Sequence, residues 1–310
     1  MNTTIAMATI RFSSLALLVA QLGTGSQCFV LRLPSFQQHQ KHNNGAVLLF
    51  SEQSPSTGLY RPFINHAWNK LESLSSLSPV TVQEELATNS ALTKGNMPEG
   101  TMVKVTTAAL QGTKHQSPIK YARYALLETL VPGLAETTSG IQVMNVVILP
   151  HGNAVPVWGV DLVSLPGDKH LLAMDVQPMG PLILPHAEEW KAWHTKHVDG
   201  TFEWGGDLPE EVAQYFSPFG LWTRLTGSPS IYQIQTLVME AFQDHLNLYL
   251  DMIHDDNETG RDADINGENN QEKYLKYRRA NDPARPMLKS LYGPEWTEQV
   301  LNEVLFPTKF

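Results

Sequence analysis

Cysteine is almost absent from this 310-residue sequence, in which Cys28 is the only one. It lies in an N-terminal stretch that we interpret as a leader, so we expect the mature protein to contain no cysteine. Such a protein has no disulfide, no thiolate nucleophile and no cysteine-ligated iron–sulfur cluster of its own. The sequence also lacks a glycine-rich dinucleotide fingerprint, a phosphate-binding loop and a Gly-x-Ser-x-Gly elbow. If the protein is a redox enzyme, its electrons must therefore come from another protein.

Acidic residues are missing from residues 1–51, whose charged residues are Arg11, Arg32 and Lys41. The whole chain has 22 Lys and Arg against 31 Asp and Glu, so 19 basic groups remain beyond residue 51 and the formal charge there is −12. This excess of negative charge argues against a nucleic-acid-binding protein. A hydrophobic fraction of 42% is ample for a folded core.

The N-terminal stretch has the layout of two targeting segments in series. Residues 1–28 resemble a secretory signal peptide, whose apolar run Leu15–Ala20 is too short to be a permanent membrane anchor. Residues 29–55 begin at Phe29, are rich in Gln and His, and resemble a plastid transit segment. Together they predict the bipartite leader of a plastid acquired from a red alga, and an ordinary secreted protein is the alternative.

Three short apolar runs between Asn145 and Pro178 predict neighbouring antiparallel strands, since each is rich in Val, Leu and Ile and is closed by Pro or Gly. Asp161 lies in the middle of the second run, and neither face of that run has a solvated pattern. An ionised carboxylate there needs partners or a shifted pKa. Asp161 is therefore either a buried acid satisfied by backbone donors or a functional acid.

The C-terminal half has helical periodicity. An apolar stripe predicts a core helix over residues 232–253, and residues 294–305 predict the last helix. Between them, residues 271–280 and 283–292 predict two helices separated at Asp282. An acid directly before a proline at the first helical position is typical of an N-cap, so this role competes with a functional one for Asp282.

Two segments carry incomplete metal-site patterns. His194 and His197 are three residues apart, but no third ligand follows at a matching spacing, so a solvated helix surface is favoured. Residues 262–267 match the front of an EF-hand loop, but Lys273 stands where the bidentate acid belongs, which favours a surface insertion. We predict that the protein has no metal site.

Several separated motifs, in the same order, resemble the ferredoxin-dependent bilin reductases. They are Asn145–Pro150, Gly159–Pro166, Leu172–Pro178, Arg279–Arg285 and Leu291–Thr297. The resemblance covers residues 60–310 and implies a single α/β domain, a three-layer α/β/α sandwich with a central, largely antiparallel sheet flanked by helices. The open-chain tetrapyrrole would lie between the sheet and the C-terminal helices. The resemblance also implies that no cofactor is permanently bound and that reduced ferredoxin is the external electron donor.

The resemblance further implies roles for particular residues. Asp161 and Asp282 match the two acids that deliver protons to the reduced bilin. Asn145 falls where members that make phycocyanobilin carry a histidine, and since an amide cannot relay a proton, Asn145 indicates the phycoerythrobilin branch. Arg279 and Arg285, together with Arg278, are candidates for binding the bilin propionates, for which the guanidinium is well shaped.

The expected reaction is the reduction of 15,16-dihydrobiliverdin at its A-ring diene to phycoerythrobilin, by sequential one-electron transfers and Asp-mediated proton transfers. The alternatives are the preceding reduction of biliverdin at its 15,16 bridge, a non-catalytic bilin carrier and, least favoured, a secreted lipocalin-like binder. The substrate would be handed over by the preceding bilin reductase.

Docking of an acidic ferredoxin to an acidic protein requires a local basic patch. The densest cluster lies in residues 273–289, and we predict that its lysines are more exposed than its arginines. The cluster comprises Lys273, Lys276, Arg278, Arg279, Arg285 and Lys289. A second candidate group comprises Lys104, Lys114, Lys120 and Arg123.

Overall fold

The computed structural model describes residues 57–93, 97–134, 136–137, 140–151, 155–178, 184–208, 210–258 and 270–310. The two predicted leader segments, 1–28 and 29–55, lie outside the described residues, as do residues 262–269 of the EF-hand-like stretch. Within the described ranges, no helix is both long and apolar enough to cross a membrane.

A central sheet of eight strands organises the fold, and every pairing between its strands is antiparallel. The strands follow the order β10-β9-β8-β7-β5-β4-β2, and β3 pairs with β4. Two further short strands, β1 and β6, form a separate parallel pair. In chain order the strands are β1 Thr57–Gly58, β2 Leu77–Pro79, β3 Thr88–Leu92, β4 Met102–Gly112, β5 Ile119–Leu130, β6 Glu136–Thr137, β7 Gln142–Pro150, β8 Val157–Leu165, β9 Lys169–Gln177 and β10 Leu221–Thr226.

The three strands predicted from their apolar runs are β7, β8 and β9, and the structure confirms them. The β8–β9 hairpin turns through Gly167 and Asp168, whose φ angles of 86° and 51° lie in the left-handed region that glycine and aspartate tolerate best. The register places Asn145 opposite Asp161 and Gly159 opposite Asp175. Asn145, Asp161 and Asp175 therefore lie on neighbouring strands in the middle of the sheet.

The helices lie mostly after the sheet strands in the chain. In chain order they are α1 Arg61–Glu72, α2 Glu84–Ala87, α3 Ala187–His197, α4 Glu210–Ala213, α5 Pro229–Gln233, α6 Met239–Glu258, α7 Asn270–Asn281, α8 Arg285–Tyr292 and α9 Pro294–Val300. A π-helical segment, Ile234–Val238, joins α5 to α6, and a second, Leu301–Leu305, follows α9. The predicted helices over residues 232–253 and 294–305 are thus confirmed.

Each face of the sheet is covered by its own hydrophobic cluster. On one face Trp158, Val160 and Leu162 pack with residues of α1, α3 and α6. On the other face Val105 and Leu127 pack with residues of α7, α8, α9 and the C-terminal π segment. The strands alternate between the two clusters, as expected for a sheet buried on both sides. The α/β/α sandwich expected from the sequence is confirmed.

Candidate active site

Two cavities lie side by side between the sheet and the C-terminal helices, and we call them together the slot. The larger has a volume of about 350 Å³ and the smaller about 80 Å³. They meet at four residues that line both, Asn145, Asp161, Arg278 and Pro283. The larger cavity is mostly apolar, and its walls include Val105, Ala125, Leu127, Val143, Val163, Met287, Leu288, Trp296, Val300 and Leu305.

Asp161 projects from the middle of β8 into the slot, because the strand alternation that buries Trp158, Val160 and Leu162 on the opposite face points Asp161 to this one. Burial raises the pKa of the Asp161 carboxyl to about 6. Arg278 opposes this rise, and a nearby second carboxylate, Asp282, adds to it. A carboxylic acid with this pKa can hold a proton near neutral pH and release it to a substrate.

Asp282 lies on the helical side of the slot, where it lines the larger cavity and is 9% exposed. Its Oδ1 accepts a hydrogen bond of 2.9 Å from the backbone N–H of Ala284, and its Oδ2 lies 3.9 Å from Nη2 of Arg278. The following helix begins at Arg285, so Asp282 is not its N-cap residue, contrary to the interpretation that the proline after it suggested. It instead orders the turn that leads into the helix.

Arg278 lies 3.9 Å from Asp282 and is the cation that most lowers the pKa of Asp161, although the sequence indicated it only as one of several candidates. It lies one helical turn before Asp282 on α7 and lines both cavities. Its Nε is buried and has no hydrogen-bond partner among the described residues. A guanidinium with an unused donor in an apolar slot is suited to an anionic ligand group.

Arg279 and Arg285 do not reach the slot, in contrast to the placement expected for propionate-binding residues. Nη1 of Arg279 donates a hydrogen bond of 2.9 Å to the carbonyl of Phe306. The Arg285 guanidinium pairs with the Glu298 carboxylate and also donates to the carbonyl of Arg279. In the part of the chain that the structure describes, neither arginine lines the two cavities. Both join the C-terminal helices to one another.

Asn145 lines both cavities, as expected for a substrate-contacting residue. Its hydrogen-bond partner, Arg123 on β5, was not expected. Its Oδ1 accepts a hydrogen bond from Nη1 of Arg123. Arg123 is wholly buried, so its assignment to a second surface patch for ferredoxin docking is wrong. The other members of that group, Lys104, Lys114 and Lys120, are exposed or half-buried.

A third acid lines the smaller cavity and was not singled out from the sequence. Asp175 on β9 is 1% exposed, and it accepts hydrogen bonds from the backbone N–H and the hydroxyl of Ser217 at 2.6 and 2.5 Å. Burial raises its pKa to about 7. Nearby, the Tyr274 hydroxyl donates to Oε1 of Gln177. The position of Asp175 in the middle of an apolar strand, like that of Asp161, is the sequence signal that could have identified it.

Three potential metal ligands lie close together near α3, and a lysine forms ion pairs with the two acids among them. His197, Glu240 and Asp244 bring their ligand atoms within 4.8 Å of one another. Nζ of Lys196 lies 2.8 Å from Asp244 and 3.4 Å from Glu240, so an ammonium group occupies the neighbourhood of both acids. The cluster lies on the face of the sheet opposite the slot. The absence of a metal site stays a prediction.

Residues 64–307 match the family of ferredoxin-dependent bilin reductases. The phycoerythrobilin:ferredoxin oxidoreductase of Nostoc punctiforme is 34% identical over 266 residues, which cover 83% of this chain and 95% of the relative. That of Gloeobacter violaceus is 33% identical over 257 residues, with coverages of 80% and 95%. Phytochromobilin synthase from tomato, solved in complex with biliverdin, has the same fold, with a TM-score of 0.61 at 20% identity over 80% of this chain and 82% of the other.

The fold, the acid-lined slot and these matches define the protein as an oxidoreductase that works on a bound organic substrate. The chain belongs to the ferredoxin-dependent bilin reductase family.

Proposed function

We propose that the protein is a phycoerythrobilin-type bilin reductase, which uses electrons from reduced ferredoxin to reduce 15,16-dihydrobiliverdin at its A-ring diene. The observation that carries this proposal is the pair of acids on the slot, Asp161 from the sheet and Asp282 from the helical side. Relatives named phycoerythrobilin:ferredoxin oxidoreductase, similar over most of the chain, favour this reaction within the family.

The shape and chemistry of the slot suit a flat conjugated tetrapyrrole with acidic side chains. Most of the larger cavity is lined by apolar side chains, as ligand sites usually are, and its few polar groups converge at one place. Arg278 offers a buried donor without a partner among the described residues, which can pair with a propionate carboxylate. This arginine replaces Arg279 and Arg285 as the proposed contact, since those two are engaged elsewhere.

In the proposed reaction, ferredoxin supplies the electrons and the acids of the slot supply the protons. Ferredoxin delivers one electron at a time, and the species that each electron forms, a radical after the first and a closed-shell anion after the second, is more basic than the starting bilin. A positioned carboxylic acid can then donate a proton to it. Asp161 is suited to this step because burial holds its pKa at about 6. Two electrons and two protons complete one reduction, with Asp282 as the second proton source.

Asn145 supports the phycoerythrobilin branch of the family rather than the phycocyanobilin branch. Its amide lies directly opposite Asp161 on the neighbouring strand and accepts from Arg123. An amide has no proton to transfer at neutral pH. Among the described residues, the slot therefore offers carboxylic acids and no imidazole beside its centre.

The proposal is tested by anaerobic turnover of the full-length mature protein with reduced ferredoxin. Biliverdin and 15,16-dihydrobiliverdin are offered separately, and the products are separated by chromatography. Conversion of dihydrobiliverdin to phycoerythrobilin is the expected result. Conversion of biliverdin alone would assign the protein to the preceding reduction, and a spectral shift without product from either substrate would make it a bilin carrier.

We propose further that residues 1–55 direct the protein to a plastid and that the preceding bilin reductase hands the substrate over. The order of a signal-like segment and a transit-like segment supports the first point. Fusion of residues 1–55 to a fluorescent protein, expressed in an alga with a red-type plastid, tests it. Secretion of the fusion would contradict plastid targeting.

A further inference from the structure

Arg123 is a charged residue in a place where charges are rare. It is 0% exposed, in the middle of β5, and burial lowers the pKa of its guanidinium to about 10, with repulsion from Arg278 adding to the effect. The guanidinium therefore remains charged at neutral pH. A buried charge is destabilising unless it is hydrogen-bonded, and Arg123 makes its bonds through Nε and Nη1, since its Nη2 has no partner among the described residues.

The contacts of Arg123 run in two directions. Towards the C-terminus, its Nε donates a hydrogen bond of 3.0 Å to the carbonyl of Leu305, at the end of the last helix. Towards β7, its Nη1 donates to Oδ1 of Asn145 and, at 3.3 Å, to the Asn145 carbonyl. The ring of Phe306 lies 5.1 Å from the guanidinium carbon of Arg123 and 5.4 Å from that of Arg278.

The contact with Asn145 fixes the orientation of an amide. A guanidinium has only donors, so the amide must turn its oxygen towards Arg123 and its nitrogen away. The nitrogen then lies on the side of β8, 3.4 Å from the carbonyl of Val160, and hydrogen bonding by the Asn145 side chain lowers the pKa of the neighbouring Asp161 carboxyl. Without Arg123 the amide is free to turn over, which would present oxygen to a carboxylate.

Anchoring the last helix does not by itself require a charge at this position. The neighbouring Tyr121 performs the same task two residues earlier on β5, because its hydroxyl donates a hydrogen bond of 2.8 Å to the carbonyl of Val304. A neutral side chain thus holds one carbonyl, and Arg123 holds the next. The feature that distinguishes Arg123 from Tyr121 is its bond to Asn145.

We infer that Arg123 is a positioning residue for the proposed proton transfer, holding the Asn145 amide so that its N–H group faces Asp161 from the inner side of the slot. The inference rests on the proposed function, because it assigns Asp161 the role of proton donor. The charge of Arg123 also favours the ionised form of Asp161 and so limits the rise of its pKa. Arg123 acts through Asn145 and does not line either cavity.

The groups that face Asp161 decide how its titration should respond. They are Arg123 from β5, Tyr274 and Arg278 from α7, Asp282 after α7, and Asp175 on β9, with Tyr60 on the opposite face of the sheet. Replacing Arg123 by methionine removes one cation and releases the amide. Both changes disfavour the Asp161 carboxylate, so the midpoint of its titration is expected to rise by about one pH unit.

The test compares three variants by infrared titration of the Asp161 carboxyl band, assigned by its loss in Asp161→Asn. Arg123→Met is expected to raise the midpoint, and Arg123→Lys, which keeps the charge, to raise it less. Tyr121→Phe is the matched control, because it loses an anchor of the same helix end without touching Asn145. It is expected to lower the melting temperature and leave the midpoint unchanged.

The same variants are then followed by the pH dependence of single-turnover reduction. The limb on which the rate falls with rising pH should move upward in Arg123→Met and stay in place in Tyr121→Phe. An unchanged midpoint in Arg123→Met, or equal shifts in Arg123→Met and Tyr121→Phe, would overturn the inference. If Arg123→Met does not fold, Asn145→Leu is titrated instead. An unchanged Asp161 midpoint in Asn145→Leu would also overturn the inference.

The infrared midpoint does not depend on turnover, so the two proposals fail separately. A shifted midpoint in a protein that does not reduce dihydrobiliverdin would reject the proposed function and leave the positioning role in place. An active protein in which the Asp161 midpoint is the same with and without Arg123 would support the proposed function and reject the positioning role.

Discussion

Asp161 and Asp282, two of the acids that line the slot, are held in different ways. Asp161 stands on a strand, and burial, partly opposed by Arg278, sets its pKa. Asp282 lies in a turn and is tied by the Ala284 amide and, more loosely, by Arg278. The same substitution, aspartate to asparagine, therefore tests a different property at each position.

Asp161→Asn keeps the shape of the side chain and removes its transferable proton. Product formation is expected to fall by roughly 100- to 10,000-fold, the range in which a positioned general acid contributes. Bilin binding should persist, because the apolar walls of the slot are unchanged. Anaerobic turnover with reduced ferredoxin gives the first quantity and an absorbance titration with bilin gives the second. Wild-type turnover in this variant would exclude Asp161 as the proton donor.

Asp282→Asn separates a structural role from a chemical one. The asparagine Oδ1 still accepts from the Ala284 N–H, so the melting temperature is expected to stay within about 2 °C of the wild type. Turnover is expected to be lost, because the amide cannot donate a proton. Asp282→Ala serves as the control, since it should lose both stability and turnover. Full turnover at an unchanged melting temperature would reduce Asp282 to a turn residue.

On the scale of secondary structure elements, β9 is joined to the segment after α4 by one buried acid. Asp175 accepts both the N–H and the hydroxyl of Ser217. In the folded protein burial raises the pKa of Asp175 from 3.8 to about 7. Between these two values the folded state binds more protons than the unfolded chain, so the Asp175 contribution to stability falls as pH rises from about 4 to about 7 and then levels off.

Asp175→Asn removes this pH dependence, because an amide resembles the protonated acid in size and in hydrogen bonding. Relative to the wild type, the variant should be more stable at pH 8 than at pH 5, with a difference on the order of 2 kcal/mol in the free energy of unfolding. Urea unfolding at the two pH values measures it. Asp251→Asn, at an exposed acid of α6, is the control and should show no such difference. A variant less stable than the wild type at pH 8 would contradict the pKa assignment.

The sequence predicted the elements better than it predicted the directions of their charged side chains. The strands around Asp161 could be predicted because short apolar runs that end at Pro or Gly are typical of β-strands and are rarely found in other elements. Arg123 was misplaced because both faces of β5 are buried, so alternation does not distinguish an inward cation from an outward one. Arg278 and Arg279 differ by about 100° around α7, and only the docking of that helix on the sheet decides which enters the slot.

On the scale of the whole molecule, the basic cluster of α7 and α8 divides as predicted. Lys273, Lys276 and Lys289 are exposed, whereas Arg278, Arg279 and Arg285 are half-buried. Lys273 and Lys276 lie on α7, which also lines the slot, so a ferredoxin docked there would be near a ligand bound in the slot. Lys273 and Lys276 are the two exposed lysines of α7, whereas Lys289 lies on α8 and pairs with Glu298 at 2.9 Å, so the two α7 lysines are the targets.

Reversing Lys273 and Lys276 to glutamate is expected to slow ferredoxin encounter by about 10-fold or more at low ionic strength and to weaken the salt dependence of turnover. Bilin affinity should not change. The single reversals Lys276→Glu and Lys191→Glu form a matched pair, because each changes the net charge equally but Lys191 lies on α3 over the opposite face of the sheet. Equal effects of the two would show that net charge, and not a docking face, controls the rate.

The bond between Arg123 and Leu305 joins residues 182 positions apart, close to the end of the chain. A ribosome makes β5 long before it makes the carbonyls that Tyr121, Arg123 and Arg279 hold. Until the final residues emerge, the buried guanidinium lacks its anchor, and Leu305 is missing from the wall of the slot. A chain that stops before Leu305 therefore lacks both this anchor and one wall of the larger cavity.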